Sequence, residues 1–258
     1  IKYKLNNILK KEVKNLFPIY YLKEINKSNL EFINIKKNIY EVKSGSWKVK
    51  SPIIVPKNYD LIISKNTKLK FEENSFIYLN GGSLIIDGDV NNEVVLSAEN
   101  KYWRGIYVNN ANNTNNLSKI TYAIIEDTTY FENQNMSLTG GINFYKSNIE
   151  IQNLIFNNNM CEDALNITHS KLDIKNSKFL NTQSDAFDAD FSNVKMENIH
   201  FENIIGDAID TSGSKIEIYN ITSNNVSDKS LSIGEKSVLQ GSEIKIFNSK
   251  IGLASKDS

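Results

Sequence analysis

The chain has 258 residues and almost no arginine: Arg104 stands alone among 30 basic residues. A planar guanidinium fork is the usual grip on phosphate or carboxylate, so an arginine-based clamp is excluded. Cysteine is as scarce. Cys161 is the only one, which rules out an internal disulfide and any cysteine-built zinc centre; it reads as a small buried hydrophobe. Imidazole can come only from His169 and His200. No apolar run approaches the ~18 residues that a membrane-spanning helix needs. No excess of charge exists either, since 30 acidic residues balance the 30 basic ones, and this argues against a nucleic-acid partner. The chain opens at Ile1 and stops in "SKDS", in mid-repeat. It reads as a C-terminally incomplete piece of a longer protein.

What the chain does have is repetition. "EDALNITHSKLDIKNSKF", "SDAFDADFSNVKMENIHF", "GDAIDTSGSKIEIYNITS" and "DKSLSIGEKS" align at a step of about 22 residues. Asp163, Asp185, Asp207 and Lys229 share one register, and Asn176, Asn198 and Asn220 share another. A last partial copy follows an insertion placed near Gly241. Within each copy apolar residues alternate, as in Leu165 and Ile167, Phe187 and Ala189, or Ile209 and Thr211. Period two means strands with one buried face. Short strands in a fixed repeat predict an all-β solenoid whose coils stack on one another. The asparagine register predicts a buried ladder of side chains bonded from coil to coil.

The 22-residue coil, the asparagine register and the "WRGI" strand at Trp103–Ile106 resemble the right-handed parallel β-helix, or pectin-lyase-like, superfamily. The resemblance covers roughly residues 46–258. The run of Asp-rich copies also looks like β-helix regions of CotH-type and surface-polysaccharide-associated proteins. Residues 1–45 differ. Leu5, Ile8, Leu9, Val13 and Leu16 make a helical stripe, and "LEFINIKKNIYEV" alternates like a strand. This segment is read as a cap over the open end of the solenoid.

If Phe187 and Ala189 point inward, Asp188 and Asp190 point outward. One outward register then runs Asn166, Asp188, Asp210, Ser232, and the next runs Thr168, Asp190, Ser212, Gly234, Lys256. Coils ~4.8 Å apart bring Asp188, Asp190 and Asp210 into a triangle. Three carboxylates with nearby Asn and Ser oxygens suit Ca²⁺, which takes six to eight oxygen ligands. The resemblance implies a further role: in uronate lyases of that superfamily calcium neutralises the substrate carboxylate while a Lys or Arg removes the neighbouring proton. Here the base would be Lys256 or Lys229, with Asp188 and Asp210 beside it. Asn166, Thr168, His169, Ser212, Ser232 and Glu235 would contact substrate. Polygalacturonases of the superfamily carry a histidine-glycine and an arginine-x-lysine motif, and this chain has neither.

The expectation is therefore a secreted, periplasmic or surface β-helix monomer. It would act on an acidic polysaccharide as a lyase or C5-epimerase, with calcium. The competing reading is a non-catalytic glycan-binding or structural surface module. In either case Asp163, Asp185 and Asp207, which precede each strand, are read as turn caps for backbone N–H groups. Phe187 and Phe191 are read as core.

Overall fold

The computed structural model describes residues 29, 31–113, 117–133 and 136–256. The helical stripe expected at Leu5–Leu16 lies outside the described residues. The "LEFINIKKNIYEV" segment is a hairpin rather than one strand: Ile33–Lys36 pairs antiparallel with Ile39–Val42. Lys37 turns it at φ 48°. Ile39–Val42 is already part of the solenoid, because it pairs in parallel with Asp60–Ser64.

From there the chain winds as a parallel β-helix with three faces. The first face begins with Ile39–Val42, Asp60–Ser64 and Leu84–Asp87, and continues through the first part of every later long strand, ending in Val238–Ser255. Eight successive parallel pairings make nine rungs. The second face starts with Gly45–Val49, Thr67–Phe71 and Val94–Ala98. The third carries Ile77–Asn80, Ile106–Asn109, Gly140–Tyr145, Asp163–Thr168, Asp185–Asp190 and Ile209–Ser212.

Alternation explains the core. Leu165, Ile167, Phe187, Ala189, Ile209 and Thr211 are all buried on the inner side of the third face. Inside the second face, Phe179 packs on Phe156 and Phe201 with ring centroids 6.2 and 5.1 Å apart. Burying one such ring contributes about 1.5–3 kcal/mol, and stacked pairs add to that.

Each corner needs a residue in the left-handed region, where asparagine is tolerated best after glycine. Between the first and second faces that residue is asparagine in four successive coils, Asn153, Asn176, Asn198 and Asn220, at φ 49–56°, with Tyr122 in the coil before and Glu243 in the coil after. The expected ladder forms: Asn198 donates to Asn176 at 2.9 Å and Asn220 donates to Asn198 at 2.8 Å. It is solvent-exposed rather than buried, because a left-handed corner throws its side chain outward. A second ladder, with the same spacing of 22 residues, stands at the next corner. Asn203 donates to Asn181 at 2.9 Å and Asn225 to Asn203 at 2.7 Å. At the third corner the polar stitching is internal and buried. The N–H of Ser147, Ser170, Ser192 and Ser214 each donates to the hydroxyl of the next serine in the series, at 2.8–3.1 Å, ending on Ser237. The last step is 23 residues instead of 22. So the insertion is one residue in the Gly234–Ser237 turn, and Gly241 itself stays in register with Ile218.

Asn198→Ala should therefore cost about 1–3 kcal/mol, from two lost hydrogen bonds and a left-handed alanine. Asn198→Gly should cost less, because it keeps the backbone conformation. Urea unfolding of the two variants gives the comparison; equal midpoints would show that the corner backbone carries no strain.

Candidate functional site

The outer side of the third face concentrates acid over three rungs. Asp163, Asp185 and Asp207 stand at the entry of successive strands, followed in register by Lys229. Asp188 lies opposite Asp210, and Asp190 opposite Ser212. On the side of the preceding coil, Asn166 faces Asp188 and Thr168 faces Asp190.

Of the three entry aspartates expected to cap backbone, Asp185 and Asp207 do so, whereas Asp163 accepts instead from the side chains of Thr139 and Asn166. Asp185 Oδ1 accepts the Asp207 N–H at 2.7 Å, and Asp207 Oδ1 accepts the Lys229 N–H at 2.9 Å. Gly206 makes the first of these possible, since a Cβ there would collide with the Asp185 carboxylate. Lys229 ends the series by placing its ammonium 2.8 Å from Asp207 and 2.6 Å from Asp228. Its side chain is only 12% exposed, so this is a sheltered ion pair and not a surface contact.

Donors from the preceding coil steady the outward acids. Asn166 Nδ2 donates to Asp163 at 3.1 Å and to Asp188 at 2.9 Å, while Thr168 Oγ1 donates to Asn166 at 3.0 Å. These bonds do not offset the crowding. Burial first, then the charges of Asp163, Asp190, Asp210 and Asp185, push the Asp188 carboxyl up to about 8. Burial and the neighbouring Asp207, Asp163 and Asp210 push Asp185 up to about 7, against the Asp207 N–H. Asp163 rises to about 6, chiefly by burial. Asp190 is raised by burial and Asp210, with His169 opposing. Asp163, Asp185, Asp188 and Asp190 thus all hold their protons above the ordinary carboxyl value.

The structure regroups the acids. The carboxylate oxygens that come within 4.8 Å of one another belong to Asp185, Asp207 and Asp210. Asp188 and Asp190 stand beside that group. A set of hard oxygen donors fits Ca²⁺ or Mg²⁺ and not a thiophilic metal. Ser232 follows Asp210 in the outward register, yet it is fully buried and its Oγ has no hydrogen-bond partner.

The remaining expected residues spread more widely. Asp207 and Asp228 raise the Lys229 ammonium well above the ordinary lysine range, which opposes a role as base. Lys256 continues the corner, its N–H donating to Ile233 at 2.8 Å, and its charge acts on Glu235. Glu235 accepts from Ser212 Oγ at 3.1 Å. His200 lies on the second face and pairs with Glu202 at 3.2 Å. His169 sits at the third corner, at φ 50°. So does Phe191, at φ 49° and 60% exposed, which corrects its assignment to the core. Cys161 is buried and burial raises its thiol, as expected of a small core residue.

No family model and no curated protein matches the chain. Among solved structures it is similar to the periplasmic alginate epimerase AlgG, at 9% identity and TM-score 0.27, over 90% of this chain and 81% of that one. It is also similar to the Streptococcus pneumoniae surface protein and adhesin PfbA, at 11% identity and TM-score 0.25, over 87% of this chain and 83% of that one.

Asp188 holds its proton more tightly in the folded chain than the ordinary carboxyl value of 3.8. A raised acid binds more protons folded than unfolded, so stability falls as pH climbs from about 4 to about 8. Asp188→Asn removes that ionisation. Its melting temperature should match the wild type near about pH 3.5 and exceed it near about pH 8.5. A melting temperature raised equally at both values would place the strain elsewhere.

Proposed function

We propose that the chain is a carbohydrate-active β-helix protein that acts on an acidic polysaccharide by lyase or C5-epimerase chemistry on the acidic third face. The observation that carries this reading is the place of Asp188 in an outward register among Asp163, Asp190, Asp210 and Asp185, where burial and those charges push its carboxyl up to about 8. Groups whose environments drive their pKa values apart are suited to donating and accepting protons in one site.

An anionic chain would be repelled by so many aspartates unless a cation lies between them. Asp185, Asp207 and Asp210 offer the oxygens for it. The unpartnered Ser232 hydroxyl in the adjacent rung supports a further ligand there. A calcium ion bound there would neutralise the uronate carboxylate and acidify the C–H bond beside it. Lys229 neutralises Asp207 and is not the base. The proton acceptor falls to Lys256, which shares the outward register of Thr168, Asp190 and Ser212. Asp188 supplies the proton that the leaving oxygen or the inverted carbon takes up. Asn166, Thr168, Ser212 and Glu235 line the face on either side and suit hydroxyl recognition. Chemistry of this kind on exported polysaccharide fits a secreted, periplasmic or surface protein.

Alginate, pectate and glycosaminoglycans, each incubated with the chain and calcium, form the direct test. One of them should develop unsaturated-uronate absorbance or a changed C5 configuration by NMR. Chelation should abolish the change, and Asp188→Ala or Lys256→Ala should lower the rate at least about 100-fold, the usual contribution of a general acid or base. Wild-type and variant chains that are equally inert across all three would overturn the assignment.

A further inference from the structure

The entry column of the third face changes sign at its last member. Asp163, Asp185 and Asp207 are followed in register by Lys229, and that lysine holds one oxygen with both of its ends. Its N–H donates to Asp207 Oδ1 at 2.9 Å, and its ammonium lies 2.8 Å from the same atom. The ammonium has a second acceptor, Asp228 Oδ2, at 2.6 Å. The two acceptors differ in setting: the Asp207 side chain is 6% exposed and that of Asp228 40%. Lys250 reaches the outer one, 3.6 Å from Asp228 Oδ1.

Asp207 also belongs to the oxygen group it forms with Asp185 and Asp210, whose ligand atoms lie within 4.8 Å of one another. Each of the three carboxylates has one oxygen fixed by a main-chain N–H. Asp185 accepts from Asp207 at 2.7 Å, Asp207 from Lys229 at 2.9 Å and Asp210 from Thr211 at 2.9 Å. A separate feature points to a ligand among them. Ser232 lies one rung beyond Asp210 on the same side of the sheet, fully buried, with no hydrogen-bond partner for its Oγ. A buried hydroxyl left unpaired is costly, and a hard divalent cation would take it as a fourth oxygen.

Such a cation and the Lys229 ammonium draw on the same carboxylate. Like charges so close repel strongly in a sheltered setting, and the lysine side chain is only 12% exposed. Asp207 therefore serves one of the two well, and not both. The ammonium need not be expelled, because its bond to Asp228 is already made.

We infer that Lys229 is a built-in competitor for the metal, holding Asp207 in the metal-free chain and retreating to Asp228 when a divalent cation binds Asp185, Asp207 and Asp210. It thereby sets the cation affinity of the acidic face. This inference rests on the calcium part of the reading above, and not on the polysaccharide or on any catalytic step.

Calcium alone is titrated into the chain by calorimetry, and melting temperatures are recorded with calcium and with chelator. Lys229→Gln should bind calcium at least about tenfold tighter than the wild type. It should melt lower in chelator, because Asp207 stays buried without its counter-ion, and should recover in calcium. A purely structural lysine would lower both melting temperatures alike and leave the affinity unchanged. Asp228→Asn keeps Asp207 paired and removes the acceptor for the retreat, so it should weaken calcium binding about three- to tenfold even if Lys229→Gln fails to fold. Lys250→Gln, the same charge change farther from Asp207, is the control and should alter the affinity less than about threefold. Wild-type affinity retained in both Lys229→Gln and Asp228→Asn, or a gain in Lys250→Gln as large as in Lys229→Gln, would overturn the competitor and leave the calcium reading standing. No calcium binding by any of these chains would overturn both.

Discussion

Every coil sets equivalent residues directly above one another, about 4.8 Å apart, and the rest of the molecule follows from that registry. Whatever one coil places at a position, it presents to its like in the next. Apolar rings gain from this, as Phe156, Phe179 and Phe201 do inside the second face. Side chains that both donate and accept gain as well, which is why asparagine holds the outer corners and serine the inner one.

Carboxylates are the one kind of side chain that registry penalises. Two of them at the coil spacing repel by a few kcal/mol in a partly shielded setting. Asp163, Asp185 and Asp207 are nevertheless stacked. Asp185 and Asp207 accept backbone N–H groups of the next coil, Asp163 accepts from the Thr139 and Asn166 side chains, and Lys229 ends the series with an ammonium. Asp188 and Asp190 have less compensation, and both carboxyls are raised above the ordinary value. Asp185 combines the two: it caps the next coil, and burial with its acidic neighbours still pushes its carboxyl up to about 7.

The fold was legible because it is written twice, once as period two within a strand and once as a step of 22 along the chain. Both periods are properties of the backbone. The site was less legible because its decisive features are not periodic. Period two placed Phe191 inside by continuing from Phe187 and Ala189, but the strand ends at Asp190 and the corner turns the next side chain out. The register puts Asp188 opposite Asp210, yet it gives no account of how the side chains lean. Asp185 and Asp207, read only as turn caps, lean toward Asp210 and form the tighter oxygen group. Lys229 had been a candidate base because it follows the aspartates in register, and that same position binds it to Asp207. The ladder of Asn181, Asn203 and Asn225 had the same 22-residue signal as its neighbour, and the serine series did too; those signals were available in the chain.

The two kinds of ladder run in opposite senses. Serine N–H groups point toward the following coil, whereas asparagine amides point toward the preceding one. An α-helix aligns all its peptide dipoles and so acquires polar ends. Here the stitching at different corners opposes itself along the axis, and its net axial dipole is small. The corner ladders therefore add no aligned dipole to the acidic face, and a ligand moving along the stack would meet a potential set by individual side chains, coil by coil.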